Sequence, residues 1–174
     1  MSPSAERAAE PAGRVLVAED EEHLGTLLTL FLRGRGLDVT LVRDGSAAVA
    51  ALATGDFEAA VIDVQMPGAD GFAVLAAAGA LARPAEIIIA SGNGTRETAL
   101  AALRGGAYGT VAKPYRMAEV ELVVQRAVEM RRLRDTVVQL RQEREALRAE
   151  LERISSAARD HAPGGTIDAR DPPA

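Results

Sequence analysis

Five residues carry the chemistry open to this chain: Glu19, Asp20, Asp63, Ser91 and Lys113. Three carboxylates brought together repel one another at neutral pH, and a hard divalent cation relieves that repulsion. Mg2+ suits such a group, because it is held by few carboxylates and shares its other positions with water and phosphate. Lys113 contributes a compact ammonium on a flexible stem, able to pair with a carboxylate or with a phosphoryl oxygen. Ser91 contributes a hydroxyl donor. A carboxylate nucleophile, a metal, a cation and a hydroxyl together make an aspartyl-phosphate site. A non-covalent phosphate or metal site without transfer is the alternative these residue types leave open.

The lysine stands out by its rarity. Lys and Arg total 20, and Lys113 is the only Lys among them. A short-headed ammonium can swing between carboxylate and phosphate, whereas the forked guanidinium suits fixed bidentate pairs.

Elements that alternate between strand and helix must position these residues. Apolar runs read as strands over Arg14 to Ala18, Leu37 to Val42, Phe57 to Ile62, Ile87 to Ala90 and Tyr108 to Ala112. Helical spacing or composition fills the gaps at about 21–33, 46–54, 71–82 and 95–104. Five strands alternating with helices predict a parallel sheet covered on both faces. Sites on such sheets lie beyond the carboxyl ends of the strands. Glu19, Asp20, Asp63, Ser91 and Lys113 all fall there.

Composition narrows the class further. The chain has 174 residues, 48% of them apolar and only 3% aromatic, so an aliphatic core is expected. The absence of Cys excludes a disulfide scaffold, a thiolate metal site and a Cys nucleophile. A net charge of -5 argues against a protein that coats nucleic acid. No apolar run is long enough for a transmembrane helix, and the first residues lack the apolar stretch of a secretory signal. A soluble, cytoplasmic protein with no direct nucleic-acid or membrane partner is expected.

From Met117 to Pro163 there is no Gly and no Pro, and the apolar residues form a heptad. Position a holds Met130, Val137, Arg144 and Leu151; position d holds Leu133, Leu140, Leu147 and Ile154. The seam predicts a coiled coil over 129–158, with a solvated single helix as the plainer alternative. Glu129 and Glu143 at g face Arg134 and Arg148 at e in a parallel pair, whereas an antiparallel pair sets like charges together. A parallel homodimer is therefore expected. Arg144 at an a position weakens the seam and can fix its register. Residues 1–13 and 159–174 read as flexible ends.

At the clustered residues the chain resembles the receiver domain of the two-component response regulator family. The matching segments are VLVAEDEE at 15–22, VIDVQMPGADG at 61–71, IIIASG at 87–92 and VAKP at 111–114. They span a receiver domain over 14–128. The resemblance implies a flavodoxin-like α/β fold, a doubly wound five-stranded parallel sheet whose last helix continues into the coil. It implies Asp63 as phosphoacceptor, served by a histidine kinase or phosphotransfer protein rather than acting as an enzyme on a separate substrate. It implies Mg2+ on Glu19, Asp20, Asp63 and the Gln65 carbonyl, phosphoryl oxygens on Ser91 and Lys113, and a cis Lys113–Pro114 peptide. The resemblance also places Gln65 and Asn93 where the family tunes access of attacking water.

One departure matters. The family usually carries an aromatic three residues before the lysine, and here that residue is Thr110. The coupling of the strand-four hydroxyl to that aromatic cannot operate in its usual form. Tyr108 is expected on the same face by strand parity, but too far along the strand to substitute. A phosphorylation-independent scaffold is the competing reading, as is a fragment of a larger regulator whose output lies elsewhere. In the signalling reading, the coil carries the output to a downstream protein.

Overall fold

The computed structural model describes residues 11–92 and 94–160, the last four as backbone only. The elements run β1 (Arg14–Ala18), α1 (Glu22–Arg33), β2 (Asp38–Val42), α2 (Gly45–Thr54) and β3 (Ala59–Asp63). They continue with α3 (Gly71–Gly79), β4 (Glu86–Ser91), α4 (Arg96–Arg104), β5 (Gly109–Ala112) and α5 (Met117–Asp160). The strands form one sheet in the order β2-β1-β3-β4-β5. Every pairing is parallel, as βαβ crossovers require. This is the doubly wound α/β architecture expected.

Strand alternation divides the core into two layers. Val15, Val17, Val61, Ile88 and Val111 face α1 and α5, meeting Leu28, Leu32, Val120 and Val124. Leu16, Ala18, Ile62, Ile87 and Ile89 face α2, α3 and α4, meeting Ala48, Leu52, Val74 and Ala102. Both faces are covered, so β1, β3 and β4 read as continuous apolar runs rather than alternating ones.

Local chemistry starts and stops the helices. Asp44 caps α2 by accepting from the Ala47 N–H at 2.7 Å, and Asp70 caps α3 from Ala73 N–H at 2.8 Å. Thr95 caps α4 from Thr98 N–H at 3.2 Å. Glu21 precedes α1 without a side-chain cap, and Glu22 stands in its first turn, where the helix dipole favours a carboxylate. The turn that delivers the chain to α3 uses Gly68 at φ +80, a left-handed position that favours glycine.

Several boundaries differ from the sequence expectation. Phe57 lies outside β3 and packs against the α2–α3 layer. Helix α3 ends at Gly79 rather than near 82, because Ala80 and Leu81 close a turn onto Ala77 and Ala78 carbonyls. Strand β4 gains Glu86 and Ser91, whose neighbours Ala59 and Ala112 continue the ladder. Ala12 and Gly13, expected in a flexible end, are tied down: Ala12 N–H donates to Gly36 O and Asp38 N–H to Gly13 O, both at 2.9 Å. Residues 1–10, Asn93 and 161–174 lie outside the described residues.

The chain divides into two compact units after Arg134, later than the expected 128. Up to that point, arginines on α5 hold the amino-terminal ends of β3 and β4. Buried Arg131 donates to the Pro84 carbonyl at 2.7 Å. Arg132 pairs with Glu58 at 2.6 Å, and Arg134 with Glu86 at 2.6 Å. Arg134 was expected to meet Glu129 of a second copy; in this structure it is engaged within its own chain. Residues 135–160 belong to the second unit and are helical. Their Val137, Leu140, Leu147, Leu151 and Ile154 are exposed. Arg148 pairs with Glu152 along the helix at 3.4 Å. No helix among the described residues is long and apolar enough to cross a membrane.

Glu86 is a buried acid in an aliphatic strand. Burial raises its pKa above 4.5, and the charges of Arg134 and Arg131 offset that only in part. The folded protein thus holds this proton more tightly than the unfolded chain. The associated stability is present below pH 4.5 and is lost as pH rises through the folded value. Glu86→Gln is expected to lose less stability than the parent between pH 4.5 and pH 7. Urea midpoints at the two pH values check this; equal losses in the two proteins refute it.

Candidate functional site

Register brings the chemistry to one edge. Asp63 ends β3 opposite Ala90, and Ser91 ends β4 opposite Ala112, immediately before Lys113. Glu19 and Asp20 follow β1, which pairs directly with β3. Parallel strands lie about 4.8 Å apart, so β5 is two spacings from β3 and three from β1. Only a long cationic side chain spans that gap. Lys113 does so: its Nζ lies 2.7 Å from Asp63 Oδ2 and 2.7 Å from Glu19 Oε2.

Backbone groups hold the carboxylates from the other side. Gln65 N–H donates to Asp63 Oδ1 at 3.3 Å, and Glu21 N–H to Glu19 Oε1 at 3.4 Å. Helix α3 presses on the same segment, and Gly71 permits it. A Cβ there would stand 2.5 Å from the Asp63 carbonyl oxygen. The Lys113–Pro114 peptide is cis, as expected.

The electrostatics follow from burial. Glu19 is 2% exposed and Asp63 6%, while Asp20 is exposed. Burial raises the Glu19 pKa above 4.5; Lys113 pulls it back only in part, and the Asp63 charge pushes it up further. Burial alone lowers the Lys113 pKa, but hydrogen bonds and charges from Asp63 and Glu19 outweigh it and hold the ammonium above 10.5. Three carboxylates against one ammonium leave an excess of negative charge. Oxygens of Glu19, Asp20 and Asp63 all lie within 4.8 Å of one another. Hard oxygen donors at that separation, with one ligand facing solvent, fit a partly hydrated Mg2+.

Among the expected residues, the structure therefore brings together Glu19, Asp20, Asp63 and Lys113, with Gln65 adjoining through its amide. Ser91 is buried at the end of β4, on the wall of a cavity of about 150 Å3 that Thr110 also lines. His23 is exposed on α1. The expectation for Tyr108 fails. Alternation begins only at Gly109, so Tyr108 packs on the α5 side with Val111 and Val120, not on the face of Thr110.

Sequence reasoning missed Tyr115. Its hydroxyl is buried without a hydrogen-bond partner among the described residues. Its ring, with Glu21, Leu24, Lys113 and Pro114, lines a second cavity of about 320 Å3. Burial first, then the nearby Glu19 charge, pushes its pKa up to about 12. The only signal in the sequence was its place two residues after Lys113.

Comparison with known proteins agrees with this geometry. Residues 15–125 match the response regulator receiver domain family. The transcriptional regulatory protein TcrA of Mycobacterium tuberculosis H37Rv is 37% identical over 107 residues, covering 62% of this chain and 42% of TcrA. The crystal structure of NtrX from Brucella abortus superposes with a TM-score of 0.68 at 30% identity, over 74% of this chain and 30% of NtrX. The receiver domain of a sensor histidine kinase from Pseudomonas aeruginosa PAO1, with magnesium in its active-site cleft, gives 0.62 at 28% identity. It covers 67% of this chain and 98% of that domain. The chain spans less than half the length of the curated relatives it matches first. With the family matched across most of the chain, and its acidic pocket assembled as described, this protein belongs to the response regulator receiver domain family of two-component systems.

Proposed function

We propose that Asp63 accepts a phosphoryl group from a histidine kinase or phosphotransfer protein. The observation that carries this reading is the Lys113 ammonium held 2.7 Å from a buried Asp63 carboxylate at the sheet edge. A carboxylate oxygen of Asp63 forms the new P–O bond as the bond to the donor's leaving group breaks, giving an acyl phosphate. Lys113 is positioned to exchange its contact with Asp63 for one with a phosphoryl oxygen, and the Ser91 hydroxyl donates to another. When bound, Mg2+ neutralises charge on the transferring group; Glu19, Asp20, Asp63 and the Gln65 carbonyl are its ligands in this reading. Gln65 and Asn93 tune access of attacking water. The protein then acts as a phosphoacceptor in the cytoplasm, not as an enzyme with a separate substrate. Intact-mass spectrometry after incubation with Mg2+ and acetyl phosphate tests this. One phosphoryl adduct within 59–71 is expected, and no adduct from any small phosphodonor overturns the reading.

Mg2+ binding gives a separate check. Asp20→Asn removes a charged oxygen ligand that the fold does not need for packing, since Asp20 is exposed. Calorimetry is expected to show Mg2+ affinity falling about tenfold or more, the scale of one lost charged contact. Unchanged affinity removes Asp20 from the ligand set.

The output is assigned to the helix beyond Arg134. Val137, Leu140, Leu147, Leu151 and Ile154 keep coiled-coil spacing and are exposed in the single chain, and pairing with a second copy covers them. A parallel homodimer then presents its outer face to a downstream protein. Light scattering at micromolar concentration is expected to give twice the chain mass, and Leu140→Asp with Leu147→Asp to return it to one. A single-chain mass for the parent protein overturns the dimer. A phosphorylation-independent scaffold draws support from Thr110, which leaves the usual aromatic position without a ring; the adduct test separates the two readings.

A further inference from the structure

We propose that the cavity between β4, β5 and the start of α4 is a binding site for a small monocyclic aromatic compound of phenol size. The cavity has a volume of about 150 Å3. That is the size that admits one benzene ring. Ile89, Val111 and Ala112 on the strands and Ala99 on α4 give it aliphatic walls. Thr110 makes room for it, since a hydroxyl and a methyl stand where a longer side chain would close the space.

Its polar groups divide into two sets. Thr95 and Thr98 are engaged with each other at 2.9 Å, and Thr95 also caps the helix. The Ser91 and Thr110 hydroxyls have no hydrogen-bond partner among the described residues. Two free hydroxyls against aliphatic walls define the occupant: an apolar ring with one polar substituent.

Water is the competing occupant, and it fits poorly. At about 30 Å3 per molecule, the space takes about five waters. Among the described residues, only Ser91 and Thr110 offer free hydroxyls to hold them, and the other waters bond to one another across the open mouth of the cleft. The remainder lie against Ile89, Ala99 and Ala112, and poorly held water is readily displaced by an apolar group. A ring that places its own hydroxyl toward Thr110 or Ser91 keeps the polar contacts and releases the rest. Gly94 keeps the loop against this wall, as a Cβ there would stand 2.6 Å from the Ala112 Cβ.

Titration of the whole chain with p-cresol, followed by methyl NMR, tests the site. The Ile89, Ala99 and Thr110 methyl signals are expected to shift in a saturable way with a dissociation constant of about 1 mM, in the range a ligand of this size can reach. Thr110→Phe fills the space from the strand and is expected to weaken binding at least tenfold. Ala99→Leu fills it from the helix and is expected to do the same, which keeps the test decisive if one variant misfolds. Cyclohexane, lacking the hydroxyl, is expected to shift the same signals less. Linear, non-saturating shifts, or binding unchanged in the folded variants, overturn the proposal.

Discussion

Asp63→Asn is expected to abolish the phosphoryl adduct completely while leaving the protein folded and no less stable. The nucleophile is the carboxylate oxygen, and an amide oxygen at the same place neither attacks phosphorus at a useful rate nor supports an acyl phosphate. The stability half of the prediction comes from the packing. Asp63 is 6% exposed and shares a site with Glu19 and Asp20, so its charge is both desolvated and repelled. Asparagine fills nearly the same volume, and its oxygen can still accept from Gln65 N–H. Lys113 keeps Glu19 as a partner. Acetyl phosphate labelling with intact-mass readout, beside a urea titration without Mg2+, measures both halves. An adduct that persists in a folded Asp63→Asn moves the acceptor to another residue and sinks the assignment.

Lys113→Ala is expected to destabilise the metal-free protein at neutral pH by about 2 to 3 kcal/mol, because it strands two buried carboxylates. The figure sits just below the usual loss for a fully buried pair, since the Lys113 side chain is 17% exposed and water can enter. Its sign with pH follows from Glu19. Burial already raises that carboxyl above 4.5, and removing the ammonium raises it further. Its folded pKa then exceeds the unfolded one by more, so the linked stability is present below pH 4.5 and disappears as pH rises through the folded value. The variant is therefore expected to lie closer to the parent at pH 4.5 than at pH 7, and millimolar Mg2+ to recover part of the loss at pH 7. A deficit equal at both pH values and indifferent to Mg2+ assigns Lys113 a packing role only. Lys113→Arg separates charge from shape: it is expected to fold normally yet fail to pass phosphorylation to the output, because the forked head cannot move between carboxylate and phosphate in the same space.

Much of this is legible in the sequence. Val15 to Ala18 and Ile87 to Ala90 announce buried parallel strands by being apolar on both faces, and acids placed after such strands fall at the edge where sites form. Asp70 announces the start of α3 by residue type alone, and the structure has it accepting from Ala73 N–H. Tyr108 shows where this reasoning breaks. Parity is a rule within a strand, and the strand starts one residue later than the apolar pattern suggests. Glu86 shows another limit. Its carboxylate is sustained in an apolar layer by Arg134, 48 positions away in the chain, and no local pattern encodes that pairing.

The sequence by itself determined the strand–helix alternation, the two-layer core and the gathering of Glu19, Asp20, Asp63 and Lys113 at one sheet edge. Each follows from periodicity and residue type, which act over a few neighbouring positions. Only the tertiary structure decided that one lysine touches two carboxylates at once, that Tyr115 buries its hydroxyl beside them, and that Thr110 borders a ring-sized cavity. It also decided that Arg131, Arg132 and Arg134 hold α5 to the sheet before the exposed heptads begin. These depend on which distant surfaces meet and how much water their meeting expels, and that is a property of the packed chain rather than of any segment in it.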